Sequence, residues 1–159
     1  VSADGGRPGF LLRLGGLVAT TLGTGYSPVA PGTAGSLAGL AAYLLLFRGS
    51  PAASLAAFAA LAALSLPACA AGERLWGHDP GRVNIDEVVG VWIPCTAAGD
   101  SILLACCGFL LFRLFDVLKP WPASRFNRMD GAAAVVLDDV AAGVMAALPV
   151  VAGRLLGVR

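Results

Sequence analysis

Apolar residues run through this chain in long stretches, interrupted at a few charged or Gly- and Pro-rich points. Residues 14–47, 49–72 and 140–153 carry no charge at all. Residues 10–22 read as a short helix, too short to cross a bilayer alone. Residues 23–36, GTGYSPVAPGTAGS, are dominated by Gly and Pro, which predicts a loop with specific turns. Ser36 stands just before the apolar run 37–47 and is a candidate cap for it. Pro51 suits a helix start. Residues 52–71 approach the roughly 20 residues of a crossing helix, with Pro67 expected to kink them. A polar interlude, 73–84, separates them from an apolar segment, 85–98, that opens on Asp86 and Glu87. Residues 99–101 predict a turn. Residues 102–115 are apolar again and lead into Arg113, Asp116 and Lys119. Pro120-Trp121-Pro122 breaks the chain, and 125–131 is polar. A last apolar helix, 132–148, is interrupted by Asp138 and Asp139, with Pro149 expected to bend or end it. Neither strand alternation nor an internal repeat is visible.

The pattern predicts five or six helices, some spanning and some short or tilted. Composition turns that into an all-α, compact multi-helix membrane bundle. Hydrophobic residues make up 57% of the 159, charged residues 13%, and mean hydropathy is +0.79. A soluble domain of this length needs more polar residues to cover its surface. A compact soluble helical protein is the alternative. The length fits one domain, expected at 10–159 behind a flexible, polar, Gly-rich tail at 1–9 with no signal-peptide pattern. Net charge is +1, so no basic field invites nucleic acid. Oligomeric state is not readable. Cys69, Cys95, Cys106 and Cys107 all lie in apolar runs and are expected to be buried free thiols, not a disulfide frame or zinc site.

Carboxylates in apolar segments are costly unless paired or bound to a cation. Half of the chain's ten acids are so placed: Asp86, Glu87, Asp116, Asp138 and Asp139. Adjacent acids on a helix project about 100° apart, so each pair can reach an ion between neighbouring helices. Oxygen ligands without an imidazole or thiolate set favour Mg²⁺ or Mn²⁺. Arg113 and Lys119 flank Asp116, with Arg125 and Arg128 following. Guanidinium and ammonium groups beside acids suit a phosphate held against a metal, and snorkelling at a membrane interface is the plain alternative. The hydroxyls of Thr33 and Ser36 are weaker candidates for the same anion. The lone His78 excludes a two-histidine phosphatase mechanism, and Cys107 to Arg113 has thiol-phosphatase spacing only inside a helical run.

Four segments taken together resemble the bacterial phosphatidylglycerophosphatase A family: GTGYSPVAPGTAGSL (23–37), DPGRVNIDEVVGVWI (79–93), FRLFDVLKPWP (112–122) and the stretch from Asp130-Gly131 through LDDVAAG (137–143). The chain departs from the family pattern at Asn84 and in the Ala-rich stretch after Gly131. The resemblance implies an all-helical, multi-pass bacterial inner-membrane enzyme with its site towards the cytoplasm. It implies Mg²⁺-dependent hydrolysis of phosphatidylglycerophosphate to phosphatidylglycerol and phosphate. By motif position it makes Asp86, Glu87, Asp116, Asp138 and Asp139 the metal and catalytic acids. Lys119 and Arg113 become phosphate contacts, with Thr33 and Ser36 beside them. The rival reading is a small carboxylate-based transporter or ion relay.

Overall fold

The computed structural model describes residues 8–77, 80–126, 129 and 131–158. Residues 1–7 of the expected tail, His78, Arg128, and Asp79 and Asp130 of the family-like segments lie outside them. The described residues form helices and no strand: α1 (Phe10–Ala19), α2 (Pro31–Ala42), α3 (Pro51–Trp76), α4 (Ile85–Ala98), α5 (Ile102–Leu118), α6 (Ala123–Phe126) and α7 (Ala132–Leu155). A single 3₁₀ turn, Thr24–Tyr26, follows α1, and α2 runs on through a wider π-type turn at Tyr43–Phe47.

Helix α4 is the axis of the bundle. Ten of its 14 residues are buried, among them Val88, Val89, Gly90, Val91 and Trp92. It packs against α2, α3, α5 and α7. Close approach depends on small residues. A Cβ on Gly39 would press on Val88 and Val91, and one on Gly90 would meet Phe112 and the Asp139 carbonyl. Several buried polar groups inside this apolar frame are paired, which offsets their desolvation. Trp92 Nε1 donates to Ser54 O at 3.1 Å, and Ser54 and Thr96 hydroxyls meet at 2.7 Å. All four cysteines are free; Cys69 and Cys95 are buried, while Cys106 and Cys107 are only partly so.

Among the described residues, two helices, Pro51–Trp76 and Ala132–Leu155, are long and apolar enough to cross a membrane. Large apolar side chains remain exposed around the bundle, including Leu55 and Leu64 on α3, Leu110 and Val117 on α5, and Leu148 on α7.

Local structure corrects the sequence reading at four points. Residues 23–36 are not a loop throughout, because α2 begins at Pro31. Pro31 occupies the first helical position, where its missing N–H costs nothing. The Gly-rich turn that follows is helical because its lack of side chains lets it lie on α4, with Gly35 against Asn84. Tertiary packing here overrides a poor helix propensity. Ser36 is therefore inside α2 and caps nothing; its hydroxyl donates to Gly32 O at 2.8 Å. Helix α3 continues through Glu73 and Arg74, which the polar interlude was expected to exclude. Helix α7 continues past Pro149 to Leu155.

Candidate active site

Four helix ends meet at one end of the bundle. Asp86 and Glu87 lie in the first turn of α4, at the positive end of its dipole. Arg113 and Asp116 share the last turns of α5. Lys119 ends that helix in a left-handed conformation, φ 44°, its amide donating to Phe115 O at 2.8 Å. The following Pro120 cannot extend the helix. This terminus turns Lys119 back towards α7. Asp138 and Asp139 lie two turns into α7, and adjacency sends them in different directions.

Carboxylate oxygens of Glu87, Asp116 and Asp139 all lie within 4.8 Å of one another. One acid comes from each of α4, α5 and α7, so the trio exists only in the folded chain. Asp138 is set apart: its carboxylate takes the Lys119 ammonium, which also stands 3.9 Å from Asp116. Arg113 pairs with Glu87, with Asp116 at 3.2 Å and with the Ser36 hydroxyl at 3.3 Å. Burial opposes the charge on Lys119. The Asp138 hydrogen bond and the fields of Asp138, Asp116 and Asp139 outweigh it and hold the ammonium above its usual pKa.

Asp86 is 5% exposed and projects towards α3, into a cavity of about 20 Å³ lined also by Cys69, Glu73 and Val135. Its Oδ1, like that of Asp138, has no hydrogen-bond partner among the described residues. Three carboxylates that converge from three helices form a set of hard oxygen ligands, and that set fits Mg²⁺. Thr33 is half-buried on the first turn of α2, near the site but in no described hydrogen bond. Arg125 is exposed on α6, with no described ion pair to the cluster.

Two positioning features escaped the sequence reading. Asn84, noted only as a departure from the family pattern, is fully buried. Its Nδ2 donates to Thr24 Oγ1 at 3.0 Å and to Pro31 O at 2.9 Å, and its backbone N–H to Ala19 O at 2.9 Å. It thus ties α1, the 3₁₀ turn and α2 to the residue before the acids. An Asn immediately ahead of an acidic helix start was the available signal. Gly32 is the second: a Cβ there would collide with Glu87 Oε1. Its signal, one more Gly in a Gly-rich stretch, was too weak to separate from its neighbours.

A helical bundle that gathers carboxylates and cationic side chains at one spot has the groups that hydrolysis of a phosphate ester uses. Comparison with known proteins gives the family. The phosphatidylglycerophosphatase A family model matches residues 17–154, and the chain belongs to that family. Its members include phosphatidylglycerophosphatase A of Escherichia coli K12, 35% identical over 135 residues, covering 82% of this chain and 78% of the relative. The Haemophilus influenzae phosphatidylglycerophosphatase A is 35% identical over 140 residues, 86% of each chain. A Bacteroides thetaiotaomicron protein provisionally named phosphatidylinositol-3-phosphatase is 38% identical over 156 residues, 93% of this chain and 96% of its own. Family membership makes the chain a phosphatase acting on a phosphate monoester. No solved structure matches it.

Proposed function

We propose that the chain is a Mg²⁺-dependent lipid phosphatase. It converts phosphatidylglycerophosphate to phosphatidylglycerol and inorganic phosphate, a step of phospholipid biosynthesis. Its place is the bacterial inner membrane, as a multi-pass protein with the carboxylates towards the cytoplasm. The observation that carries the reading is the trio Glu87, Asp116 and Asp139 within 4.8 Å, fringed by Arg113 and Lys119. The exposed apolar belt fits a bilayer, in which the substrate's acyl chains stay while its headgroup reaches the helix ends.

Glu87, Asp116 and Asp139 would hold the ion. Bound there, Mg²⁺ supplies positive charge to phosphoryl oxygens and acidifies water. Asp86, outside the trio and short of a partner, accepts the proton of the attacking water. Lys119 and Arg113 offset charge on the phosphoryl oxygens in a loose transition state. As the bond from water oxygen to phosphorus forms, the bond to the glycerol oxygen breaks in line; that oxygen takes a proton from solvent and becomes the hydroxyl of the product, and Asp86 returns its proton to solvent. Asp138 holds the Lys119 ammonium in place.

Phosphate release from phosphatidylglycerophosphate by purified protein in detergent, with Mg²⁺ and with EDTA, tests the reading. Activity that survives chelation rejects the metal mechanism. The name of the Bacteroides relative makes phosphatidylinositol 3-phosphate the substrate to run alongside. Preference for it would move the substrate but not the chemistry. Ion flux in vesicles without phosphate release would favour the relay reading instead.

A further inference from the structure

The end of the bundle away from the acids holds a second charged cavity, of about 730 Å³, lined by Arg48, Asp100, Ser101 and Arg154 among others. Its charges come from three separate elements: the residue after the π-type turn, the turn between α4 and α5, and the last turn of α7. The walls are fixed by hydrogen bonds. Tyr43 OH donates to Gly99 O at 2.7 Å, and Arg154 Nη1 donates to Ala97 O at 3.1 Å. Gly99 has φ 62°, and a Cβ there would stand 2.7–2.8 Å from the Arg154 guanidinium. Only a glycine lets that guanidinium lie against the turn.

Among the described residues, two guanidiniums and one carboxylate line the cavity, a net positive charge. The start of α5 adds to that potential, and the C-terminal ends of α4 and α7 beside it subtract from it. Arginine's planar fork matches the oxygens of phosphate. The rim is apolar: Ile102 and Leu103 line the cavity and are half exposed, and Leu155 and Leu156 beside Arg154 are more than 80% exposed. Exposed charges next to exposed apolar side chains suit an amphiphile. Fifteen residues of α7 separate Asp139 from Arg154, about 22 Å along the helix axis. On the membrane reading above, the cavity therefore faces the other leaflet.

We propose that this cavity binds a phosphate-bearing anion, supplied by the headgroup of an anionic phospholipid in the leaflet opposite the carboxylate site, with Arg48 and Arg154 as the phosphate contacts. The site is separate from the catalytic one and serves a resident lipid, not the substrate.

The test compares wild type with Arg48→Gln/Arg154→Gln. Both are purified in detergent with equal amounts of phosphatidylglycerol and phosphatidylcholine, and retained lipid is counted by native mass spectrometry. Wild type is expected to retain phosphatidylglycerol preferentially. The double variant should lose that preference by about fivefold per guanidinium, while phosphate release in detergent persists. Because the result is a difference between two proteins with the same catalytic residues, lipid at the catalytic site cancels. Equal preference in both proteins overturns the proposal, whatever the phosphatase assay shows. A parallel titration with inorganic phosphate in lipid-free detergent separates the sources. Binding lost in the double variant makes free phosphate a ligand of the same cavity; if neither ligand responds to the substitutions, the site does not exist. Circular dichroism is recorded on the same samples. If the double variant does not fold, Asp100→Asn replaces it: removal of the carboxylate should raise retention, and unchanged or lower retention overturns the proposal.

Discussion

Gly32→Ala separates stability from activity at the proposed site. Gly32 lies in the first turn of α2, and Ala is the better helix former by about 1 kcal/mol. Propensity alone therefore predicts a slightly more stable protein. The added methyl, however, would occupy the space of Glu87 Oε1 and stand 3.6 Å from Arg113 Nη1. A backbone-bound methyl cannot move away, so the carboxylate must. Glu87 is one of three acids confined to 4.8 Å, and Arg113 joins it to Asp116 and Ser36, so the displacement reaches the whole cluster. Misplacing a catalytic group by about 1 Å costs on the order of a hundredfold in rate. The expected result is a fall of that size in phosphate release at saturating Mg²⁺, with thermal unfolding by circular dichroism at or above the wild-type midpoint. Gly81→Ala is the control, since nothing lies within 4 Å of a Cβ there. If Gly32→Ala kept activity within about twofold of the control, the carboxylate geometry would not matter and the trio would not be the site.

Asp139→Asn should raise the Mg²⁺ needed for half-maximal activity by about tenfold or more, whereas Asp138→Asn, which removes only the partner of Lys119, should leave that requirement near wild type. Equal shifts in the Mg²⁺ titrations of both variants would contradict the division between them. Arg113→Lys cannot serve Glu87, Asp116 and Ser36 from one ammonium; losing one charged hydrogen bond of about 1.5 kcal/mol predicts roughly a tenfold loss of kcat/KM. Wild-type kinetics in that variant would show that the guanidinium fork is not used. Asn84→Ala removes the donor shared by Thr24 and Pro31 and should destabilise the protein by about 1–3 kcal/mol, read as a lower unfolding midpoint, with activity lost in parallel.

The helical class and the central segments were legible because period and punctuation agree there. The helix 85–98 has the bounds read from the sequence, set by Asn84 before it and Gly99 after it. The region around Pro31 was not legible, because its helix depends on what it touches. Gly32, Gly35 and Gly39 are poor helix formers, yet each lies where α4 leaves no room for a side chain. The acids were legible as a set, since carboxylates in apolar runs are conspicuous. Their grouping was not: nothing in Asp138-Asp139 says that the second faces Glu87 and Asp116 while the first meets Lys119, because that depends on the rotation of α7 against α5. The same holds for Asp86, whose neighbour joins the trio while it faces Cys69 and Glu73.

The charges at the two ends of the bundle differ in what they need. At the acid end, five carboxylates gather with two cationic side chains, Arg113 and Lys119, in a site where Asp86 and Asp139 are each 5% exposed. Acids in such excess oppose the approach of a phosphate dianion, and a cation held by them would reduce that opposition. At the other end, Arg48 and Arg154 exceed Asp100, and an anion needs no intermediary. The helices themselves favour this polarity. Acids in the first turn of α4, Lys119 at the end of α5 and Arg154 in the last turn of α7 each stand at the dipole end that stabilises them. The same placements that would carry out the chemistry thus reduce the cost of keeping charge in an apolar fold, and the remaining cost at the acid end is the part that a bound cation would offset.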